Sequence, residues 1–193
     1  NNSGIEESII ASFSKYAHSY DRYAFLQKAM AERLAVYLPE RAPSHILELG
    51  CGTRKRIQGS IGIDSIAYEK VDIVGEVVEV LSSFPEKSVD MVHSHHFLAH
   101  LQDLKPLMIE LERVVKVGGT MERVAPHFSS PYFYSDPTHK TSLGLYTFCY
   151  FTECALFSKK VPTYGHDCKF ELTRVDLIFK SPRPFYFRYA IKR

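Results

Sequence analysis

His45-Ile46-Leu47-Glu48-Leu49-Gly50-Cys51-Gly52, followed twelve residues after Gly52 by Asp64 in Ile61-Gly62-Ile63-Asp64, is the stretch that decides the fold. Its apolar run is too short for a helix and is closed by glycines, the pattern of a parallel strand covered on both faces. Gly50 and Gly52 allow a sharp turn and a close backbone approach to a ligand where a Cβ would collide. The second apolar run ends in Asp64, which therefore falls at the carboxyl end of the neighbouring strand, where open α/β sheets bind ligands. A carboxylate there accepts both hydroxyls of a ribose.

The glycine spacing separates two ribose-bearing ligands. A dinucleotide fingerprint needs G-x-G-x-x-G so that the pyrophosphate rests on a helix N-terminus, and here the sixth position is Lys55. S-adenosyl-L-methionine has a ribose but no phosphate, so the tight turn and the acidic partner suffice. Glu48-Leu49-Gly50-Cys51-Gly52 resembles the first motif of class I S-adenosylmethionine-dependent methyltransferases, and Ile61 to Asp64 resembles their second. The resemblance implies a Rossmann-like α/β fold, with a mostly parallel seven-stranded sheet and an antiparallel last strand. It also implies S-adenosyl-L-methionine as cofactor, S-adenosyl-L-homocysteine as product, and cofactor contacts from Glu48, Gly50, Cys51, Gly52 and Asp64.

A chain of 193 residues with 45% hydrophobic and 13% aromatic content is expected to form one globular domain. A formal charge of +2 does not ask for a polyanionic partner, although Arg54-Lys55-Arg56 is a local basic cluster. No apolar run approaches the roughly 18 to 20 residues of a membrane span, and no basic-then-apolar leader opens the sequence, so the expected location is cytoplasmic. Cys51, Cys149, Cys154 and Cys168 contain no C-x-x-C pair and are expected to be reduced thiols. Cys51 has no base beside it in sequence and is read as a small pocket-lining residue rather than a nucleophile.

Ahead of the first strand, Ile5, Ile9, Ile10 and Phe13, then Tyr23, Leu26, Met30, Leu34 and Tyr37, recur at helical spacing until Pro39. The stretch from Ala11 to Gln27 is similar to the N-terminal region of malonyl-carrier-protein methyltransferases. That resemblance implies a helical lid over residues 1–40 and makes Tyr16 and Tyr20 pocket residues, against the alternative of an aromatic stripe packing helix on sheet.

Val71 to Gly75 is read as a third strand ended by Glu76, and Val77 to Leu81 as a short helix. The family resemblance gives Glu76 and the neighbouring Val77 to the adenine. A fourth strand, Val89 to His93, runs into Ser94 and His95, which the resemblance places beside the methionine part of the cofactor. His93, His95, His96 and His100 invite a metal reading. Strand alternation sends His96 to the face opposite His93 and His95, no H-E-x-x-H pattern is present, and no metal is expected. Leu104 to Val115 has amphipathic helical spacing that starts at Asp103 and ends at Gly118-Gly119, with a fifth strand at Thr120 to Val124.

The polar segment from Ala125 to Thr141 follows the fifth strand, on the side of the sheet where a methyl acceptor belongs. Its P-H-F-S-S and D-P-T-H-K phrases resemble small methyltransferases of polysaccharide gene sets. His127 and His139 have the intrinsic pKa of a general base, and Asp136 is placed to orient one of them. Tyr146 to Phe157 is expected to be helical, and Phe170 to Phe179 and Phe185 to Ile191 an antiparallel pair that completes the sheet.

The expected organisation is one domain over 1–193, with the cofactor core at 45–124 and the acceptor side and sheet completion at 125–193. The expected activity is methyl transfer to an oxygen or nitrogen of a small-molecule or carbohydrate-linked acceptor. The alternatives are a carrier-protein thioester carboxyl methyltransferase and a non-catalytic S-adenosylmethionine-binding protein.

Overall fold

A computed structural model describes residues 45–162, 164, 169–180 and 183–192. The two apolar runs that frame the glycine turn are adjacent parallel strands, β1 (Ile46–Leu49) and β2 (Ile61–Asp64), in register Leu47 to Ile61 and Leu49 to Ile63. Leu47, Leu49 and Ile63 have no exposed surface, as expected of strands buried on both faces. Around them lie β3 (Ile73–Val74), α1 (Val77–Ser82), β4 (Val89–His95), α2 (Lys105–Val114), β5 (Val115–Pro126), α3 (Pro131–Ser135), β6 (Glu171–Lys180) and β7 (Arg183–Lys192). The described strands form one seven-stranded sheet in the order β3-β2-β1-β4-β5-β7-β6, with β7 antiparallel to both of its neighbours. Among the described residues, no helix is long and apolar enough to cross a membrane.

The crossover from β1 to β2 is a loop, residues 50–60, where parallel strands are ordinarily joined through a helix. Glu48 holds this loop in place of helical hydrogen bonds. Its carboxylate is 1% exposed and accepts the backbone N–H of Arg56 at 2.8 and 2.9 Å and that of Ile57 at 3.1 Å, with the Ser60 hydroxyl at 3.1 Å. On the other side of the loop, Lys55 Nζ donates to the Asp72 carboxylate at 2.6 Å and to the Ser60 carbonyl at 2.8 Å.

The apolar spacing of α2 buries Leu107, Met108, Leu111 and Val114. Each such side chain contributes about 1.5–3 kcal/mol by leaving water. From the last turn of α2, Arg113 donates to the carbonyls of Leu81 at 2.7 Å and Phe84 at 2.6 Å, tying the end of α1 and the turn after it to α2.

Two boundaries differ from the sequence expectation. The α2 helix stops at Val114, and the chain enters β5 at Val115, so Gly118-Gly119 is an irregularity inside that strand rather than a helix terminus. Gly118 has φ +82°, and a Cβ on Gly119 would stand 2.7 Å from Val115 Cγ1, so the bulge depends on both glycines. Tyr146 to Phe157 is not a helix; the described structure there is a 3₁₀ turn, Thr147–Tyr150. Its aromatic spacing reflects burial of Phe148 against the core. Thr147 Oγ1 accepts the Gly144 N–H and Thr152 Oγ1 donates to the Phe148 carbonyl, bonds that favour turn over helix.

Candidate cofactor and acceptor site

The register brings the carboxyl ends of the central strands to one level. Leu49 pairs with Ile63 on one side and Ser94 on the other, Asp64 pairs with Val74, and His95 pairs with Val124. One step beyond Leu49 the chain turns through Gly50 (φ +62°) and Gly52 (φ +60°), conformations that side-chain-bearing residues rarely adopt. A Cβ on Gly50 would stand 2.6 Å from the Phe97 ring, so Phe97 packs against the turn because Gly50 is glycine. Gly52 faces open space.

The Asp64 carboxylate is half-buried and tied to this turn. Its Oδ2 accepts the Gly52 N–H at 2.9 Å and its Oδ1 the Ile66 N–H at 3.0 Å. One acceptor site on each oxygen remains for a ribose hydroxyl. At the end of β4, Ser94 is fully buried and its Oγ has no hydrogen-bond partner among the described residues. An open glycine turn, a braced carboxylate and an orphaned hydroxyl at one sheet edge fit an adenosyl ligand with a charged amino-acid tail.

The other expected contacts divide. Glu48 is committed to the loop amides, so it acts on the site by shaping the turn rather than by facing a ligand. Burial, with the carboxylates of Asp64, Glu48 and Asp72 nearby, pushes the Cys51 thiol up to about 11, which removes any nucleophilic role at neutral pH. Glu76 is exposed at the N-terminus of α1, Val77 is buried beneath it, and His95 is half-buried with its ring 4.2 Å from that of His96. Tyr16 and Tyr20, with the lid over 1–40, lie outside the described residues.

The segment after β5 docks on the 3₁₀ turn Leu98–His100 that follows β4. The N–H groups of Lys140 and Thr141 donate to the Ala99 carbonyl at 2.7 and 3.0 Å, and Thr141 Oγ1 donates to the Leu101 carbonyl at 2.5 Å. Long-range bonds therefore bring the His139 loop to the carboxyl end of β4. His139 is held by a 2.8 Å bond from Nδ1 to the Phe133 carbonyl and by the Phe133 ring stacked at 5.1 Å. A carbonyl only accepts, so Nδ1 carries the donated proton, and in the neutral ring the lone pair is on Nε2, 3.7 Å from Asp136 Oδ2. His127 differs: the Ser129 N–H points at its Nδ1 at 3.3 Å, with the Ser129 hydroxyl at 2.6 Å, so Nδ1 accepts and the proton goes to Nε2. Burial lowers the pKa of His127. Bonds from the Thr138 hydroxyl and N–H hold Asp136 below the usual carboxylate range.

Phe97, His100 and Thr138 were not among the expected site residues. The glycine at position 50 is the local signal for Phe97. His100 and Thr138 meet across 38 positions of sequence at 2.9 Å, and no spacing rule reports such a pair.

A mostly parallel sheet in this strand order, with a glycine turn after the first strand and an acid ending the second, defines the class I S-adenosylmethionine-dependent methyltransferase fold. The sequence model of a family described as "Methyltransferase domain" matches residues 53–122. The fold likeness extends to a solved S-adenosylmethionine-dependent methyltransferase from Archaeoglobus fulgidus, at 20% identity and a TM-score of 0.51, covering 94% of this chain and 99% of that one. A Mesorhizobium loti S-adenosylmethionine-dependent methyltransferase gives 14% identity and a TM-score of 0.50, covering 86% and 98%. Among curated proteins, the chain is 28% identical over 134 residues to malonyl-[acyl-carrier protein] O-methyltransferase 2 of Ilyobacter polytropus, covering 59% of this chain and 52% of that one. It is 40% identical over 132 residues to malonyl-[acyl-carrier protein] O-methyltransferase of Pseudescherichia vulneris, covering 60% and 52%. The chain thus spans about half the length of the curated relatives it matches. The cofactor implied by this class is S-adenosyl-L-methionine.

Proposed function

We propose that this protein transfers a methyl group from S-adenosyl-L-methionine to an oxygen or nitrogen of a small-molecule or carbohydrate-linked acceptor. The observation that carries the proposal is the shared level of the Gly50–Gly52 turn, Asp64, Ser94 and the docked 127–141 segment at one edge of the sheet. When bound, S-adenosyl-L-methionine supplies a sulfonium-activated methyl group and leaves as S-adenosyl-L-homocysteine. Asp64 accepts the ribose hydroxyls, the backbone at Gly50, Cys51 and Gly52 lines the ligand, Glu76 and Val77 border the adenine, and Ser94 and His95 meet the methionine part.

On the acceptor side, the chain must position the nucleophile in line and, for a neutral acceptor, take up its proton. Of the candidates, His139 with Asp136 is better suited than His127, because the Nε2 lone pair of His139 faces outward from its carbonyl anchor while His127 presents a protonated Nε2. The exposed rings of Phe128, Tyr132 and Tyr134 beside this loop offer flat apolar faces for a sugar or a small ring. The similarity to malonyl-[acyl-carrier protein] O-methyltransferases supports a second reading, a carrier-protein carboxyl acceptor, which needs no base because the carboxylate is already ionised.

Transfer of labelled methyl from S-adenosyl-L-methionine to a panel of glycans, small alcohols, amines and malonyl carrier protein tests both. On a hydroxyl acceptor, His139→Ala is expected to lower turnover by about 10² to 10⁴ while leaving S-adenosyl-L-homocysteine affinity within about threefold. Methylation of the carrier protein alone, unaffected by His139→Ala, would replace the first reading by the second. Tight cofactor binding with no transfer to any of them would favour a sensor.

A further inference from the structure

We propose that His100, Asp136 and His139 form a binding site for one divalent transition-metal ion, held by two imidazole nitrogens and one carboxylate oxygen, with no fourth ligand side chain among the described residues. Among the described residues, this is the one group of His, Cys, Asp and Glu side chains with metal-binding geometry; one ligand atom from each lies within 4.8 Å of the others. It revises the expectation of no metal. The histidines that raised the question were neighbours in sequence, whereas two of the three ligands here come from the docked loop.

The tautomers favour a cation. The Thr138 hydroxyl donates to Asp136 Oδ1 at 2.6 Å, and its single proton is spent there, so its 2.9 Å contact with His100 is donated by His100 Nδ1–H. His139 Nδ1–H is likewise spent on the Phe133 carbonyl. In the neutral form both rings therefore hold their lone pair on Nε2, and neither Nε2 makes a hydrogen bond among the described residues. Outer-shell bonds to a carbonyl and a hydroxyl are how metal-bound histidines are fixed in ring orientation and tautomer.

The distances agree with this. His139 Nε2 and Asp136 Oδ2 are 3.7 Å apart, too far for a hydrogen bond. Bonds of about 2.0–2.2 Å to an ion put adjacent ligand atoms about 3.0–3.6 Å apart, within reach of a small rotation of these side chains. The rings of His100 and His139 are 4.7 Å apart, and the Lys140 N–H to Ala99 carbonyl bond locks their two segments together. Two nitrogens and one oxygen, with positions left open, suit zinc, iron, manganese, cobalt or nickel better than calcium or magnesium. An ion there would occupy the Nε2 lone pair of His139. In the metal-bound protein the ion would therefore promote loss of the acceptor's proton by lowering its pKa, in place of His139 acting as base. That role rests on the methyl-transfer proposal, whereas ion binding does not.

The test is a titration of metal-stripped, tag-free protein with Co²⁺, followed by visible absorption, together with elemental analysis of protein purified without chelators. The expected result is one equivalent bound with ligand-field bands. His139→Ala, His100→Ala and Asp136→Asn should each bind at least tenfold more weakly, and Thr138→Val about tenfold more weakly through its outer-shell role. His127→Ala should bind as the wild type does. S-adenosyl-L-homocysteine affinity, measured on every variant, reports folding independently of the metal. No stoichiometric binding, or equal binding by wild type and the three ligand variants, overturns the site. A failed methyl-transfer assay beside a positive titration leaves the site standing, so the two proposals fail separately.

Discussion

Asp64 and Glu48 end neighbouring stretches of the same motif, yet the hydrogen bonds around them assign different work. Asp64 keeps acceptor capacity on both oxygens at an accessible sheet edge, while Glu48 has its oxygens filled by the loop it holds. Asp64→Ala is therefore expected to weaken S-adenosyl-L-homocysteine binding by about 1.5 to 3 kcal/mol, the loss of a charged acceptor, with a smaller effect on folding. Glu48→Ala should do the reverse: it removes the buried acceptor that holds the N–H groups of Arg56 and Ile57 and the Ser60 hydroxyl, and should appear first as a lowered denaturation midpoint. Calorimetry and urea melts on both variants separate the two. Equal cofactor affinity in wild type and Asp64→Ala would remove the ribose role, and an unchanged midpoint in Glu48→Ala would remove the loop-holding role.

At the scale of elements, the sheet has a binding end and a bracing end. Opposite the site, Asp90 at the start of β4 accepts the His45 N–H at 2.8 Å and both oxygens take Lys116 Nζ at 2.8 and 2.9 Å, tying β1, β4 and β5 together. Partial burial alone would raise its pKa, but the Lys116 and His45 bonds outweigh it and hold the carboxyl below 3.8. Because the folded value is depressed, the stabilisation is present above the unfolded value of 3.8 and is lost as pH falls through the folded one. Asp90→Asn should be less stable than wild type at neutral pH, and the difference should shrink as pH drops below 3.8. Thermal melts at stepped pH check this, and a pH-independent gap would assign the loss to packing instead. The same scale explains the two misplaced boundaries. Glycine pairs end helices and also permit bulges, and aromatic spacing accompanies buried turns as well as helices, so each local signal admitted two structures.

Across the whole molecule, a ligand that binds only the folded sheet edge stabilises all of it. S-adenosyl-L-homocysteine at about 100 times its dissociation constant should add about 2.7 kcal/mol and raise Tm by about 5 to 10 °C for a domain of this size. NAD should not, and a larger shift with NAD would sink the cofactor assignment. The sequence by itself determined the strands on either side of the glycine turn, the acid ending the second strand and the helix before β5, because apolar periodicity, glycine and terminal charge act over a few residues. It also carried the antiparallel β7 through resemblance to a family that shares the strand order. Only the tertiary structure decided that Glu48 replaces a crossover helix by holding a loop, that Phe97 packs on Gly50, and that His100 meets Asp136 and His139. Those contacts join segments whose spacing in the chain carries no periodic signal. They exist because the sheet register and the bonds from the loop to Ala99 bring distant side chains to one edge.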